Sequence, residues 1–222
     1  MEHGVLEIPV DGRWSIEDLN DFAHSFRLSY VYFYVISEET TKDDDRARLL
    51  LARYFWSGDY KGDEFAEKLY FMVPDDARPL VQKFQYASLG VVEISAIIGV
   101  LSMLSLCVRS WSKTASAAFE LYKEIDEYFY KRRLTRIPRN FDLDQLSPSD
   151  IDRARELCVE MGTNLGLNVD QIERVLNLTG NPISGLKLLA QIAHEAEKLA
   201  RLERGGKAKI AQSRVRKTRA LD

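Results

Sequence analysis

Few side chains in this sequence stand where they could do chemistry together. His194-Glu195-Ala196-Glu197 begins like a helical zinc motif but lacks the second histidine four residues on, and His3 and His24 stand alone. Asp43-Asp44-Asp45 puts three carboxylates in a row, yet consecutive positions at a helix start point in different directions and serve the helix dipole better than a metal. Cys107 lies in an apolar run and Cys158 in a helical pattern, so neither belongs to a CxxC pair, and apolar burial raises a thiol pKa rather than lowering it. There is no phosphate-cradling glycine loop and no Gly-x-Ser-x-Gly elbow; Gly180-Asn181-Pro182 with Ser184-Gly185 reads as a turn capping the helix that follows. The expectation is a chain with no catalytic residues, no metal and no cofactor.

Two patterns point instead to contact surfaces. Ala87–Val108 holds 15 apolar residues, two Gly, four Ser and one Glu in 22 positions. As one continuous helix it would be roughly 33 Å long, enough for a bilayer core of about 30 Å. Glu93 opposes insertion, and the stretch that follows it is short for a span. Along such a helix Ser88, Ser95, Gly99, Ser102, Arg109, Lys113, Ser116 and Glu120 would share one face. Ser95, Gly99, Ser102, Arg109 and Lys113 are therefore the expected stripe for a partner or a second copy, either in water or through Ser95-x-x-x-Gly99 in lipid. The second pattern is the C-terminal tail. Lys207, Lys209, Arg214, Arg216, Lys217 and Arg219 stand against Asp222 alone, a net +5, so the rest of the chain carries −8 of the overall −3. Such a tail could meet an anionic membrane surface or nucleic acid through counterion release, or simply lie solvated beyond Gly205-Gly206.

Around these patterns the elements follow from local signals. Val5–Val10 is a strand-type run ended by Asp11-Gly12. Ser15 is an N-cap with Asp18 three residues on, and Leu19, Phe22, Phe26, Tyr30 and Phe33 form one helical stripe behind it. Arg46–Trp56 and Gly62–Val73 read as helices, the latter stopped by Pro74. Leu80–Tyr86 reads as a half-buried strand, with Leu80, Gln82, Phe84 and Tyr86 on one face, that could pair with the first strand. Helix is expected from Val91 to about Arg133 and over Pro148–Leu165, Val169–Leu176 and Ile183–Arg204. The last three have helix-turn-helix spacing, but Asp170 and Glu173 beside a lone Arg174 make a poor surface for a DNA groove.

The fold class predicted is α+β and predominantly helical: a small N-terminal sheet with long helices, then a helical C-terminal segment. The expected divisions are an α+β domain over 1–135, a linker over 136–148, a helical subdomain over 149–205 and a flexible basic tail over 206–222. With 45% hydrophobic and 29% charged residues, the composition excludes wholesale disorder, collagen-like repeats, disulfide scaffolds and polytopic membrane proteins.

Tyr54-Phe55-Trp56-Ser57-Gly58-Asp59-Tyr60, Phe65, Leu69-Tyr70, Val73-Pro74, Arg78-Pro79 and Phe84-Gln85-Tyr86-Ala87-Ser88-Leu89-Gly90 resemble a group of uncharacterised bacterial proteins. There an aromatic N-terminal helix and a Tyr-Ala-Ser-Pro-Gly-like turn precede a long hydrophobic helix. Leu89 stands here in place of that proline. The resemblance covers about residues 5–133 and implies a fold, a bacterial origin and a likeness to small accessory components of conflict or defence loci.

The leading expectation is a non-enzymatic adaptor that binds a protein partner or another copy of itself. One alternative is a membrane-associated effector inserting Ala87–Val108. The weaker one is nucleic-acid binding, confined to the basic tail. Met1-Glu2-His3-Gly4 carries no basic segment ahead of an apolar one, so the expected location is the cytoplasm, with membrane association open through Ala87–Val108.

Overall fold

Alternation sets the first element, β1 (His3–Val10), in which Leu6, Ile8 and Val10 are buried while Glu7 and Pro9 face outward. The computed structural model describes residues 2–37, 44–54, 64–85, 90–131 and 147–217. Asp43, Ser88, Arg219, the motif residues 55–60 and 86–89, and 136–146 of the expected linker lie outside the described residues.

α1 (Ile16–Ile36) starts at the expected cap. Ser15 Oγ accepts from the Asp18 N–H at 3.1 Å and Asp18 Oδ2 accepts from the Ser15 N–H at 2.8 Å, a capping box. Its first turns are amphipathic, but Leu28 to Ile36 are buried without interruption, so the helix runs through the middle of the molecule. It packs against α3 (Glu64–Tyr70), α4 (Ile98–Lys113), α7 (Val169–Thr179) and α8 (Pro182–Arg204). α2 (Asp44–Tyr54) lies against α3 and α7. A single 3-10 turn at Asp75–Ala77 leads into β2 (Leu80–Gln85), which is close to the predicted strand.

The largest departure lies in Ala87–Val108. It is not one helix: Gly90–Ile97 is β3, α4 follows at once, and Thr114 separates α4 from α5 (Ala115–Lys131). β3 buries Val92, Ile94 and Ala96 and turns Val91, Glu93 and Ser95 outward, a period of two hidden in a run that is apolar nearly throughout. No helix among the described residues is long and apolar enough to cross a membrane. The strand-to-helix corner is tight enough to require Gly4: a Cβ there would lie 2.3 Å from Ile98 Cγ1 and 2.8 Å from the Arg216 carbonyl oxygen.

β2 pairs with β3, not with β1. The sheet has the order β2-β3-β1-β4, antiparallel throughout, and β4 is Arg214–Lys217. A bulge between Val81 and Lys83 shifts the register, so Val81 opposes Ile94 and Phe84 opposes Val92. Val81 and Phe84 therefore share the face that looks toward α1, whereas strict alternation would place them on opposite faces.

Through Lys217 the C-terminal segment is docked rather than a flexible tail. Gly205-Gly206, expected to detach the segment, instead turns it back: Gly206, at φ +71°, donates to the Glu203 carbonyl, and the Lys207 N–H reaches that of Leu202. Lys209 N–H then bonds the Pro9 carbonyl at 2.8 Å, a 3-10 turn at Ile210–Gln212 packs on α4, and β4 completes the sheet. Ile210 and Ala208 are fully buried.

One buried cluster includes residues from both the expected N-terminal domain and the expected helical subdomain. α6 (Pro148–Asn164), capped by Ser147 and Asp150, packs on α8, and α8 packs on α1 and α4. The buried cluster runs without a break from Leu6 through Phe33, Leu104 and Leu157 to Ile210. The molecule is thus α+β and predominantly helical, with eight helices and four strands among the described residues.

Two outcomes follow from the docked C-terminus. Ile210→Ala should cost about 2–5 kcal/mol in denaturant unfolding, as for a fully buried isoleucine; a frayed tail would show no change. Asp18 is held below the ordinary carboxylate range, chiefly by the Lys207 ammonium and next by the Ser15 N–H. A carboxyl whose folded pKa is depressed adds stability above its unfolded value and loses it as pH falls through the folded one. The advantage of the wild type over Asp18→Asn in thermal melts should therefore be full at pH 7 and fade below about pH 4.

Candidate interaction surface

Where α1 crosses the sheet beside β2, the two do not close. A groove of about 340 Å³ remains, with Leu19, Phe22, Ala23 and Phe26 of α1 as one wall and Val81, Phe84, Val92 and Ile94 as the other. Its lining is overwhelmingly apolar. At one end Trp14 stands edge-on to Phe22 and Phe84, with ring centroids 5.7 and 6.3 Å away. At the other, the guanidiniums of Arg27 and Arg78 lie 5.2 and 5.1 Å from the centre of the Tyr70 ring, and Arg27 pairs with Glu67. These cations are held by neighbours, which leaves the groove a hydrophobic rather than an anion-binding feature.

β2 extends this surface. All six of its residues are exposed, including Leu80 and Val81 at 63% and Phe84 at 43%. It is also a sheet edge, and among the described residues nothing pairs with its outer side. An edge strand with three exposed apolar side chains beside an apolar groove is an arrangement that accepts a further strand.

The expected stripe is divided by the fold. Ser95 sits on the outer face of β3, opposite Val5 and Leu80. Gly99, Ser102, Arg109 and Lys113 do share the outward face of α4, around an exposed Leu106. Much of that face already has a use inside the chain. Arg109 Nε donates to the Ala211 carbonyl at 2.9 Å, and the Ser102 hydroxyl bonds the Ile98 carbonyl at 2.8 Å. Beside the stripe, Ser105 and Ser213 hydroxyls meet at 2.9 Å.

The basic residues of the C-terminal segment are likewise turned to internal use. Lys207 pairs with Asp18, and Lys217 pairs with Glu2 at 2.8 Å. Arg216 reaches Glu7 at 2.8 Å and Glu93 at 3.2 Å, two carboxylates set directly opposite each other in the sheet. Lys83 approaches Glu93 from the other side at 3.7 Å. Lys209 and Arg214 have no ion pair among the described residues, and Arg214 is exposed.

Among the described residues no group of three His, Cys, Asp or Glu could hold a metal ion. Burial pushes the Cys107 thiol far up and the Cys158 thiol up to about 12. The polar residues that sequence reasoning missed lie inside: Lys187, Gln191 and Glu195, one face of α8, are buried, with Gln191 accepting from Tyr32 and Glu195 bonded to Lys198. At a spacing of four they look like a solvated stripe in sequence, and it is the packing of other elements on α8 that covers them, with Tyr32 of α1 at Gln191 and the centre of the α5 Phe129 ring 5.8 Å from the Lys187 ammonium.

Comparison with protein-family models, with curated proteins and with solved structures finds no match to this chain.

Both thiols should be silent toward an aromatic disulfide reagent in the native protein and react fully after denaturation, two per chain. Rapid native-state modification of either would show an accessible thiolate that this packing does not allow.

Proposed function

We propose that the chain is a non-enzymatic interaction module, an adaptor of a bacterial cytoplasm that binds a protein segment in the groove between α1 and β2. One observation carries the reading: an apolar groove opens beside a sheet edge whose six side chains are all exposed. Soluble proteins commonly blunt such edges with charge or cover them, because unpaired N–H and C=O groups invite another strand. β2 has a single charged residue, Lys83, and its ammonium is drawn aside toward Glu93. A bound extended segment would take its hydrogen bonds from the edge and its specificity from side chains entering the groove. The bacterial and defence-related setting rests on the sequence resemblance over residues 5–133 alone.

The test is selection of random peptides on the purified protein. Enriched peptides should carry alternating apolar residues, alter Trp14 fluorescence through its contacts with Phe22 and Phe84, and lose at least tenfold in affinity on Val81→Glu or Phe84→Glu, as expected if each apolar contact contributes more than about 1.4 kcal/mol. Failure to enrich any peptide, or binding indifferent to both substitutions, would remove the groove as the binding site.

A further inference from the structure

We infer that β2 pairs with β2 of a second copy of the chain, antiparallel about a two-fold axis, setting Val81 of each against Phe84 of the other. This rests on the reading of the β2 edge as an interaction surface and names its occupant. The argument is the strand's self-complementarity. Register with β3 puts Val81 and Phe84 on the face toward α1, and Leu80, Lys83 and Gln85 on the outer face opposite Ser95, Glu93 and Val91. Residues opposite one another across an antiparallel pair must point to the same face.

In a two-fold pairing that uses all six residues, Leu80 meets Gln85, Val81 meets Phe84 and Gln82 meets Lys83. The outer pair matches outer with outer, and the apolar pair matches face with face. The irregular centre of each strand, where the bulge lies, falls against the same region of the other. A shift of one residue in either direction breaks this. One direction sets Val81 against Lys83 and the outward Leu80 against the inward Phe84. The other sets Lys83 against Lys83, a like-charge pair that costs stability. In the matched register Lys83 faces an uncharged Gln82, and its own Glu93 supplies the counter-charge.

The opposite edge of the sheet cannot do this. β4 is four residues long, and a second β4 would set Arg214 against Lys217 and Val215 against Arg216, with no apolar pair to match. Pairing through β2 therefore closes a dimer rather than an open chain of sheets. Six residue pairs form a small interface, so the dimer should depend on concentration.

The register is read by the double variant Leu80→Cys with Gln85→Cys. Within one chain these positions are five strand steps apart, about 17 Å, far beyond the roughly 4–7 Å between α-carbons that a disulfide tolerates. Mild oxidation should yield a covalent dimer from the double variant, and none from Leu80→Cys alone, whose sites lie at opposite ends of the paired strands. The native thiols are buried and do not compete. Light scattering of the wild type should show a mass rising with concentration toward twice 25.5 kDa. Val81→Glu, at an exposed position that folding tolerates, should weaken that association at least tenfold.

A wild type that stays monomeric and a double variant that gives no covalent dimer would overturn the proposal. So would a dimer unaffected by Val81→Glu, or cross-linking by Leu80→Cys alone. If selected peptides still bind in the groove under those results, the interaction surface stands with another occupant; if they do not, both readings fall.

Discussion

The structure depends on burying the second half of α1 on every side. Leu28 to Ile36 include Tyr30, Tyr32, Phe33 and Tyr34, all essentially inaccessible, and each large side chain removed from water contributes about 1.5–3 kcal/mol. A helix with no solvent face needs neighbours all around it. α3, α4, α7 and α8 supply them, drawn from both ends of the chain, and the end of β3 joins them where the Ile97 N–H donates to the Tyr30 hydroxyl. The tyrosine hydroxyls are satisfied within that packing: Tyr30 donates to the Ala77 carbonyl at 2.6 Å and Tyr32 to Gln191 at 3.2 Å. A polar group left unpaired there would cost about 1–3 kcal/mol, so these bonds also fix how the 3-10 turn before β2 and the middle of α8 sit against α1.

The C-terminal segment answers a second problem, created by the sheet itself. Glu7 and Glu93 face each other on adjacent strands, an unfavourable pair on its own. Arg216 lies within reach of both, and Lys83 adds a cation from β2. The acidic body and the basic terminus seen in the composition are thus parts of one surface. α4 receives the same segment through Arg109, Ser105 and the buried Ile210. On its other side α4 is tied to α8, where the Trp111 indole donates to Glu197 at 3.0 Å. Burial alone would raise the Glu197 carboxyl, but hydrogen bonds from Arg204, Trp111 and Arg201 together hold it lower.

The two edges of the sheet are consequently unlike. β4 is short and cationic, whereas β2 exposes Leu80, Val81 and Phe84 and adjoins a groove that α1 leaves open. This asymmetry underlies the proposed role as an interaction module.

Signals that act within a few residues were legible in the sequence. The Ser15 cap, the turn at Gly180-Asn181, the extents of α6 and α8 and the strand character of Val5–Val10 and Leu80–Gln85 depend on local hydrogen bonds, backbone freedom and periodicity. The apolar character of Leu19, Phe22 and Phe26 was also visible, but not that they would be left lining a groove, since a core stripe and an open one have the same pattern. Tertiary structure decided the rest. Gly90–Ile97 is apolar at almost every position and would suit a helix or a strand; β1 on one side and β2 on the other make it a strand. Arg214–Lys217, with Val215 as its only apolar residue, carries no strand signal; it becomes one because β1, more than two hundred residues earlier, offers it an edge and two carboxylates. Local sequence determines which conformations a segment can adopt, and where two remain open, the partner brought from a distance selects between them.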